Sequence, residues 1–439
     1  MSGLGLKQLG KNTSLTLGRQ LLTALLGLIT VILLARLLGP GGNGIYQMVF
    51  LLPTMIVTLS NLGIGPATVY YVARKDYPLK TIISANLILG LIISAIACII
   101  AVILVLFFGD KIFPAIPIRL LLIVILIIPI SLLQSYLLTI FQGLQDFKVF
   151  NLISIVPQGV ILLLVVLGVW ILDGGVKAAI AANMLGSIVA LSITLYYLKP
   201  YLDFRVIADR GYIFNALNYG IKAHLSNIMA FLNERLDMFL VNGFLNPAAV
   251  GIYSIAVQIV EKLWMLSQSV STVILPRISE LKNEEEIRKQ LTPLISRWVL
   301  MTTLVLSVLL AFIAPYLIPL LFGKGFVNSG TALQIMLPGI VLGSASRVLS
   351  NDFAARGRPE INTYLAIITL SINVAGNLIM IPKMGINGAA LATTISYVVN
   401  AFLKITIYSY LVKVKWYKTL LPEKRDFIMI LAIIPKRRG

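Results

Sequence analysis

Eight ionisable side chains sit inside otherwise apolar stretches and are the residues best placed to do chemistry: Lys222, Glu234, Arg235, Asp237, Glu261, Lys262, Arg347 and Lys404. A charge at mid-membrane depth costs about 2.5–3.5 kcal/mol on insertion scales, so each needs a partner, water or a ligand. All eight lie in the second half of the chain. On one helix, Lys222, Ser226, Asn227, Asn233, Glu234 and Asp237 fall within an arc of roughly 140°. Ser254, Gln258, Glu261, Gln268 and Ser271 form a second stripe, with Lys262 at its margin. Such stripes suit a cavity wall that meets a polar substrate; the alternatives are charges pairing near an interface and hydrogen bonds between helices. Arg347 and Lys404 have no acid three or four positions away, so each is expected to face water, a carboxylate on another helix or an anionic ligand. Lys404, one turn from Asn400 and on the face of Tyr397 and Tyr408, has a further option, which is to snorkel toward the cytoplasm. His224 lies on the other side of its helix from Lys222 and reads as a packing residue.

The elements that position these groups follow from composition. Of 439 residues, 58% are hydrophobic and 12% charged, against about 25% charged in a soluble domain. A chain this apolar cannot cover a water-facing surface with polar groups, which excludes a large soluble core and a disordered chain. The net charge of +19 has no polar domain to carry it, so a nucleic-acid partner is excluded as well. Cys98 is the only cysteine, leaving no disulfide framework and no thiolate metal site. Spans of about 20 apolar residues recur near 20–38, 45–66, 82–108, 118–141, 150–172, 176–198, 219–245, 249–275, 298–322, 327–351, 361–383 and 386–411. The expected fold is an all-α polytopic membrane protein of about twelve transmembrane helices. Its parts are a six-helix lobe at 1–198, a cytoplasmic linker at 199–218, a second six-helix lobe at 219–411 and a basic tail at 412–439. The first span leads into Arg36-Leu-Leu-Gly-Pro40 without a small-residue cleavage pattern, so it reads as a retained helix. Loop Lys and Arg divide 25 to six between the two sides, which places both termini in the cytoplasm. The apolar piece Phe427 to Ile434 is too short to cross and reads as interfacial.

The halves look alike. Pro40-Gly-Gly-Asn-Gly-Ile-Tyr46 and Pro247-Ala-Ala-Val-Gly-Ile-Tyr253 join equivalent spans at an offset of 207 residues, and Gly175-Val-Lys-Ala-Ala-Ile-Ala-Ala182 is echoed by Gly385-Ile-Asn-Gly-Ala-Ala-Leu-Ala392 at an offset of 210. With six spans per half, both halves insert the same way round, as a parallel repeat about an axis along the membrane normal with a cavity expected between them.

Leu33-Leu-Ala-Arg-Leu-Leu-Gly-Pro-Gly-Gly-Asn-Gly-Ile-Tyr46 carries a resemblance, as does the stretch from Asn233-Glu-Arg-Leu-Asp237 through Pro247 and Gly251-Ile-Tyr253 to Leu275-Pro-Arg-Ile-Ser279. The chain resembles bacterial polysaccharide-export flippases of the O-antigen type, within the multidrug, oligosaccharidyl-lipid and polysaccharide exporter superfamily. The resemblance implies two six-helix lobes forming a V and export of an undecaprenyl-pyrophosphate-linked oligosaccharide across the inner membrane by alternating access. The implied partners are that lipid-linked oligosaccharide, membrane lipids and glycan-assembly proteins. Five basic against three acidic residues inside the spans leave two positive charges in excess, about what a pyrophosphate neutralises, and a low-dielectric wall strengthens the attraction. Lys222, Lys262, Arg347 and Lys404 are therefore assigned to a cationic substrate cavity. Glu234, Arg235, Asp237 and Glu261 are assigned to ion coupling or pairing; burial raises a carboxylate's pKa and a nearby cation lowers it, which leaves coupling to H+ or Na+ open.

Two rivals remain. A cation-coupled multidrug exporter of the same superfamily usually resembles a pattern with an acid in the first lobe, whose spans here hold none. A membrane polymerase or ligase needs a substantial outward loop, and these are short. No Gly-rich phosphate loop ends in Lys-Ser/Thr, and a lone His with a lone Cys excludes the usual metal clusters, so neither enzyme activity nor a cofactor is expected. Pro53, Pro129, Pro157 and Pro338 are expected to bend their helices, Gly339-x-x-x-Gly343 to allow close packing, and Glu284-Glu-Glu286 with Arg288 and Lys289 to form a solvated helix.

Overall fold

The computed structural model describes residues 3–202, 209–280, 285–423 and 426, with the side chains of 18–202, 209–221, 224–225, 227–264, 285–423 and 426. The helices are α1 (Gly3–Ser60), α2 (Ile64–Arg74), α3 (Leu79–Ile112), α4 (Ile118–Val124), α5 (Ile127–Gly143), α6 (Phe147–Val165), α7 (Gly175–Leu198), α8 (Arg210–Phe244), α9 (Pro247–Glu280), α10 (Glu285–Phe322), α11 (Val327–Ala355), α12 (Glu360–Met384) and α13 (Ile386–Val412). No strand occurs among the described residues. Nine helices there are long and apolar enough to cross a membrane. α1 is itself two helices meeting at Gly39, whose φ of 63° is open to glycine and whose successor, Pro40, cannot donate to the preceding turn. α8 and α9 are not among the nine, and parts of both lie outside the residues whose side chains are described. Counting them, and both parts of α1, every span expected from sequence finds a helix. The piece 427–434 lies outside the described residues.

α3 shows why the bundle needs lipid. Leu91, Ile92, Ile96, Ile99, Ile103 and Leu106 are all exposed, while its buried face carries Ser84, Ala85, Gly90, Ser94, Ala97 and Ala101. Over 90–101 the buried positions are all small (Gly90, Ser94, Ala97, Ala101), which lets helices approach closely, and the outward Leu and Ile are what hydrocarbon solvates; Ile82, Ile83, Leu89 and Val105 are buried on either side. A water-facing apolar patch of that size is untenable.

The prolines behave unequally. α4 and α5 part at residues 125–126, where Ile128 N–H donates to Ile125 in a tightened turn. The Pro129 ring falls one turn after the Ile125 carbonyl and removes the next donor. Pro53, Pro157 and Pro338 lie inside continuous helices, so the bends expected at those positions do not break their elements.

Packing divides the chain into two units, Met1–Phe231 with Asn246–Gly251 and Leu321–Gly323, and Leu232–Leu245 with Ile252–Leu320 and Lys324–Gly439. The first half of α8 thus belongs with the first unit. In that unit Ile83, Leu137, Ile140, Phe141, Ile153 and Leu198 join α3, α5, α6 and α7. The second unit centres on Leu349, Phe353, Ile405, Tyr408 and Val412 of α11 and α13. There, a Cβ on Gly339 would meet the Thr394 backbone at 2.9 Å, so the Gly339-x-x-x-Gly343 pair packs as expected.

The repeat is visible in the backbone. Gly175 and Gly385, 210 residues apart, both take positive φ, 56° and 59°, the first opening α7 and the second just preceding α13. Within the first unit the two elbows approach backbone to backbone: a Cβ on Gly44 would overlap the Pro247 carbonyl, and one on Gly251 would overlap the Pro40 carbonyl. Gly44 to Pro247 and Gly251 to Pro40 exchange roles under the offset of 207, the reciprocity a two-fold contact requires. Asn43 Nδ2 donates to the Gly251 carbonyl at 3.2 Å across this contact. Asn246 caps α9, its Oδ1 accepting from Ala249 N at 2.9 Å, with Pro247 at the first helical position.

The charge run at 284–289 departs from the solvated helix expected of it. Glu284 lies outside the described residues. Lys289 pairs with Glu286 at the surface, but Arg288 is buried, its Nε donating to Asp352 Oδ1 at 3.0 Å. Asp352 is also gripped by Arg356 Nε at 2.6 Å, and Arg356 Nη1 reaches Glu285 at 2.7 Å. A buried aspartate needs such donors on every side, and its partner lies 64 residues away in sequence, so periodicity within the run could not reveal it.

Candidate functional site

In the second unit, Glu234 and Arg235 of α8 and Glu261 of α9 meet charged and aromatic side chains of their neighbours. Glu234 and Arg235 stand next to each other on α8 and reach different partners. Arg347 Nη2 of α11 lies 3.6 Å from Glu234 Oε1, and Arg235 Nη2 lies 2.8 Å from Glu261 Oε1 of α9. The second contact lacks hydrogen-bond geometry, since that same Glu261 oxygen finds no directed donor among the described residues. All four side chains are 27–38% exposed. They line an accessible surface and do not form a sealed core pair.

Arg347 is held in a second way. Its guanidinium lies over the Trp264 ring, 3.9 Å from the centroid, and Trp264 in turn packs on Tyr397 of α13 at 4.9 Å. A guanidinium on an indole face directs its N–H groups outward in the guanidinium plane. One turn further along α11, Ser350 Oγ accepts from Lys404 Nζ at 2.7 Å. Lys404 therefore turns inward to α11, toward the Arg347 face. Asn400, one turn before it, accepts from Ser346 Oγ at 3.0 Å and donates to Thr369 Oγ1.

Asp237 is buried, and its carboxylate accepts from Tyr253 OH at 2.6 Å and from Met238 N at 2.8 Å. Tyr253 OH also lies 3.5 Å from Thr393 Oγ1, which accepts from Asn373. This closed network gives the tyrosine of Gly251-Ile-Tyr253 its task, satisfying a buried carboxylate. Lys262 is exposed at the stripe's edge, as its marginal position implied. Lys222 lies on α8, but its side chain is outside the described residues. Of the eight, the structure thus gathers Glu234, Arg235, Glu261, Arg347 and Lys404, with Asp237 enclosed beside them and Lys262 exposed at the edge. His224 is buried in the first unit, Nε2 3.1 Å from the Leu59 carbonyl oxygen.

Sequence reasoning missed Trp264. It sits three residues after Glu261, on the same polar stripe, and is one of only four tryptophans in the chain. An amphipathic ring inside a polar stripe was the available signal. Asn233 Oδ1, Gln258 Nε2 and Trp264 Nε1 are buried beside these charges and make no hydrogen bond among the described residues.

The sequence matches the polysaccharide biosynthesis protein family over residues 9–282. The chain belongs to that family. This family member also matches the MatE family over residues 223–379, the stretch that holds most of the charged cluster. It is 25% identical over 245 residues to a probable low-salt glycan biosynthesis flippase, Agl15, of Haloferax volcanii, covering 55% of this chain and about half, 51%, of that relative. It is 21% identical over 284 residues to a putative O-antigen transporter of Shigella flexneri, covering 64% of this chain and 68% of the relative. Among solved structures, it is similar to the lipid II flippase MurJ in an inward closed conformation, with a TM-score of 0.77, 17% identity and coverage of 94% of this chain and 91% of that one. At that identity the likeness establishes the fold, which is the two-lobed helical architecture read from the sequence.

Proposed function

We propose that this protein flips a polyprenyl-pyrophosphate-linked oligosaccharide across the cytoplasmic membrane by alternating access, for surface polysaccharide assembly. The observation that carries the reading is Arg347, a cation in a membrane helix that stands 3.6 Å from Glu234 and is stacked on Trp264, with Lys404 beside it. A guanidinium so placed can exchange a long carboxylate contact for a phosphate, which it can meet with two parallel N–H donors. The pyrophosphate would sit against Arg347 and Lys404, with Lys262 of the same unit extending the positive field. The free polar atoms of Asn233, Gln258 and Trp264 offer donors and acceptors to sugar hydroxyls, and the lipid tail stays in the bilayer. The likeness to the Haloferax glycan biosynthesis flippase and the Shigella O-antigen transporter supports the substrate class. Glycan-assembly enzymes are the partners that would deliver and consume such a substrate.

A second reading, cation-coupled drug export, draws on the MatE match and on Glu234 and Glu261 within it. In the flippase reading these carboxylates release Arg347 and Arg235 when H+ or Na+ binds, so coupling and substrate capture share one set of residues. The deciding experiment replaces Arg347 with Gln in a host that depends on this protein, then follows surface glycan and lipid-linked precursor. Loss of glycan with precursor retained inside is expected. Normal export by a folded variant removes Arg347 from the path, and drug resistance without a glycan phenotype favours the second reading. Orientation is tested separately: with Cys98 replaced, cysteines at Lys324 and Lys383 are expected to react with an impermeant thiol reagent from outside, and cysteines at Ser279 and Arg356 are not.

A further inference from the structure

A cavity of about 690 Å³ opens at one end of the second unit, between the start of α10 and the segment that follows α13. Its lining holds five basic residues and three acidic ones. The acids are already engaged. Asp426 accepts from Arg297 Nε and Nη2 at 2.6 and 2.7 Å, Glu423 stands 3.8 Å from the same guanidinium, and Glu286 pairs with Lys289 at 2.8 Å. Arg297 also donates to the Lys418 carbonyl, so it fixes the backbone of the lining. Lys413, Lys415 and Lys418 remain, three ammonium groups within six residues with no ion pair among the described residues. Lys415 lies 5.9 Å from the Tyr417 ring centroid.

The depth of the cavity is marked by its neighbours. Tyr410 is 83% exposed, Trp416 55% and Leu421 57%. Exposed Trp and Tyr with an amphipathic character collect at the level of the lipid headgroups. The chain's own end is a poor occupant, because residues 427–439 contain Lys436, Arg437 and Arg438 and no acid. A basic pocket between membrane helices at headgroup depth is the setting in which anionic lipid heads are captured.

We propose that this cavity binds the phosphodiester headgroup of an anionic phospholipid, held by Lys413, Lys415 and Lys418. Arg297 and Asp426 position the segment and leave the ligand to the lysines. The site is separate from the Arg347 cluster, and the proposal stands or falls independently of the glycan reading.

The test uses the full chain in nanodiscs of mixed phosphatidylglycerol and phosphatidylcholine, with retained lipid read by native mass spectrometry. Wild type is expected to retain phosphatidylglycerol preferentially. K413Q/K415Q/K418Q is expected to lose that preference by at least about tenfold, while K75Q/K148Q/K199Q, three exposed lysines of the first unit, keeps it. Equal retention by the cavity variant overturns the proposal. If the cavity variant does not fold, photoreactive phosphatidylglycerol on wild type decides instead: crosslinks within 413–418 support the site, and crosslinks elsewhere overturn it. A final arm adds soluble glycerol phosphate. Displacement of the lipid only at concentrations far above the lipid's own supports a headgroup site, whereas tight binding of glycerol phosphate without lipid assigns the cavity to a free phosphate ligand and overturns the lipid claim.

Discussion

The two halves of the chain use one scaffold and differ in charge. In the first, Tyr46 OH accepts from Asn183 Nδ2 at 3.2 Å. In the second, Tyr253, 207 residues later, bonds Asp237 and faces Thr393, 210 residues after Asn183. The tyrosine and its partner on the last helix of each half are thus the same device, neutral in one copy and wrapped around a carboxylate in the other. Counting back by 207, Glu234, Arg235, Asp237, Glu261 and Trp264 correspond to Gly27, Leu28, Thr30, Thr54 and Val57; counting back by 210, Lys404 corresponds to Thr194. Every ionisable member of the cluster compared this way faces a neutral counterpart. The repeat therefore supplies architecture twice and intramembrane charge once.

Breaking the shared architecture should cost most. Gly44→Val and Gly251→Val each drive a side chain into the opposing elbow's carbonyl and are expected to lose about 3 kcal/mol or more of stability, since backbone leaves no room to repack. Thermal unfolding of purified protein measures this. Gly41→Ala, where nothing stands within 4 Å of the added Cβ, is the tolerated control. Similar losses at both glycines sharpen the two-fold account; loss at only one breaks it.

Next come the paired tyrosines. Tyr253→Phe removes a donor from a buried carboxylate and is expected to cost about 2–3 kcal/mol, whereas Tyr46→Phe breaks a neutral hydrogen bond worth about 1 kcal/mol. Equal melting shifts would contradict the claim that charge distinguishes the halves. A smaller effect is expected at Arg235→Gln, whose pair with Glu261 is part exposed and without directed geometry. Its stability should change by under about 1 kcal/mol, with any loss appearing in transport.

Much of this was legible in sequence, and the reasons differ by element. Spans, elbows and repeat were readable because hydropathy and Gly-Pro punctuation are local signals. The join expected at 40–46 falls at Gly39, one residue earlier, and the bend expected at Pro129 is a division of α4 from α5. The polar stripes of α8 and α9 were readable because helical period places them on one face. What stayed hidden were pairings across helices. Arg347 finds Glu234 more than a hundred residues away, and Arg288 finds Asp352 at a separation of 64. Asp237 looked like a member of the Glu234 group because they are three residues apart, yet its side chain turns to Tyr253 and is shut in. Periodicity fixes the face of a helix, and only the packing of its neighbours decides which charges meet.

The most direct test of the central claim, that the charged cluster of the second half holds the anionic headgroup, is the affinity of purified protein for undecaprenyl pyrophosphate. Arg347→Gln and Lys404→Gln are each expected to weaken binding by about tenfold or more, equivalent to about 1.4 kcal/mol, while Thr194→Val, at the position in the first half that corresponds to Lys404, leaves it unchanged. Unaltered affinity in both folded second-half variants, or an equal loss in the first-half variant, would contradict the account.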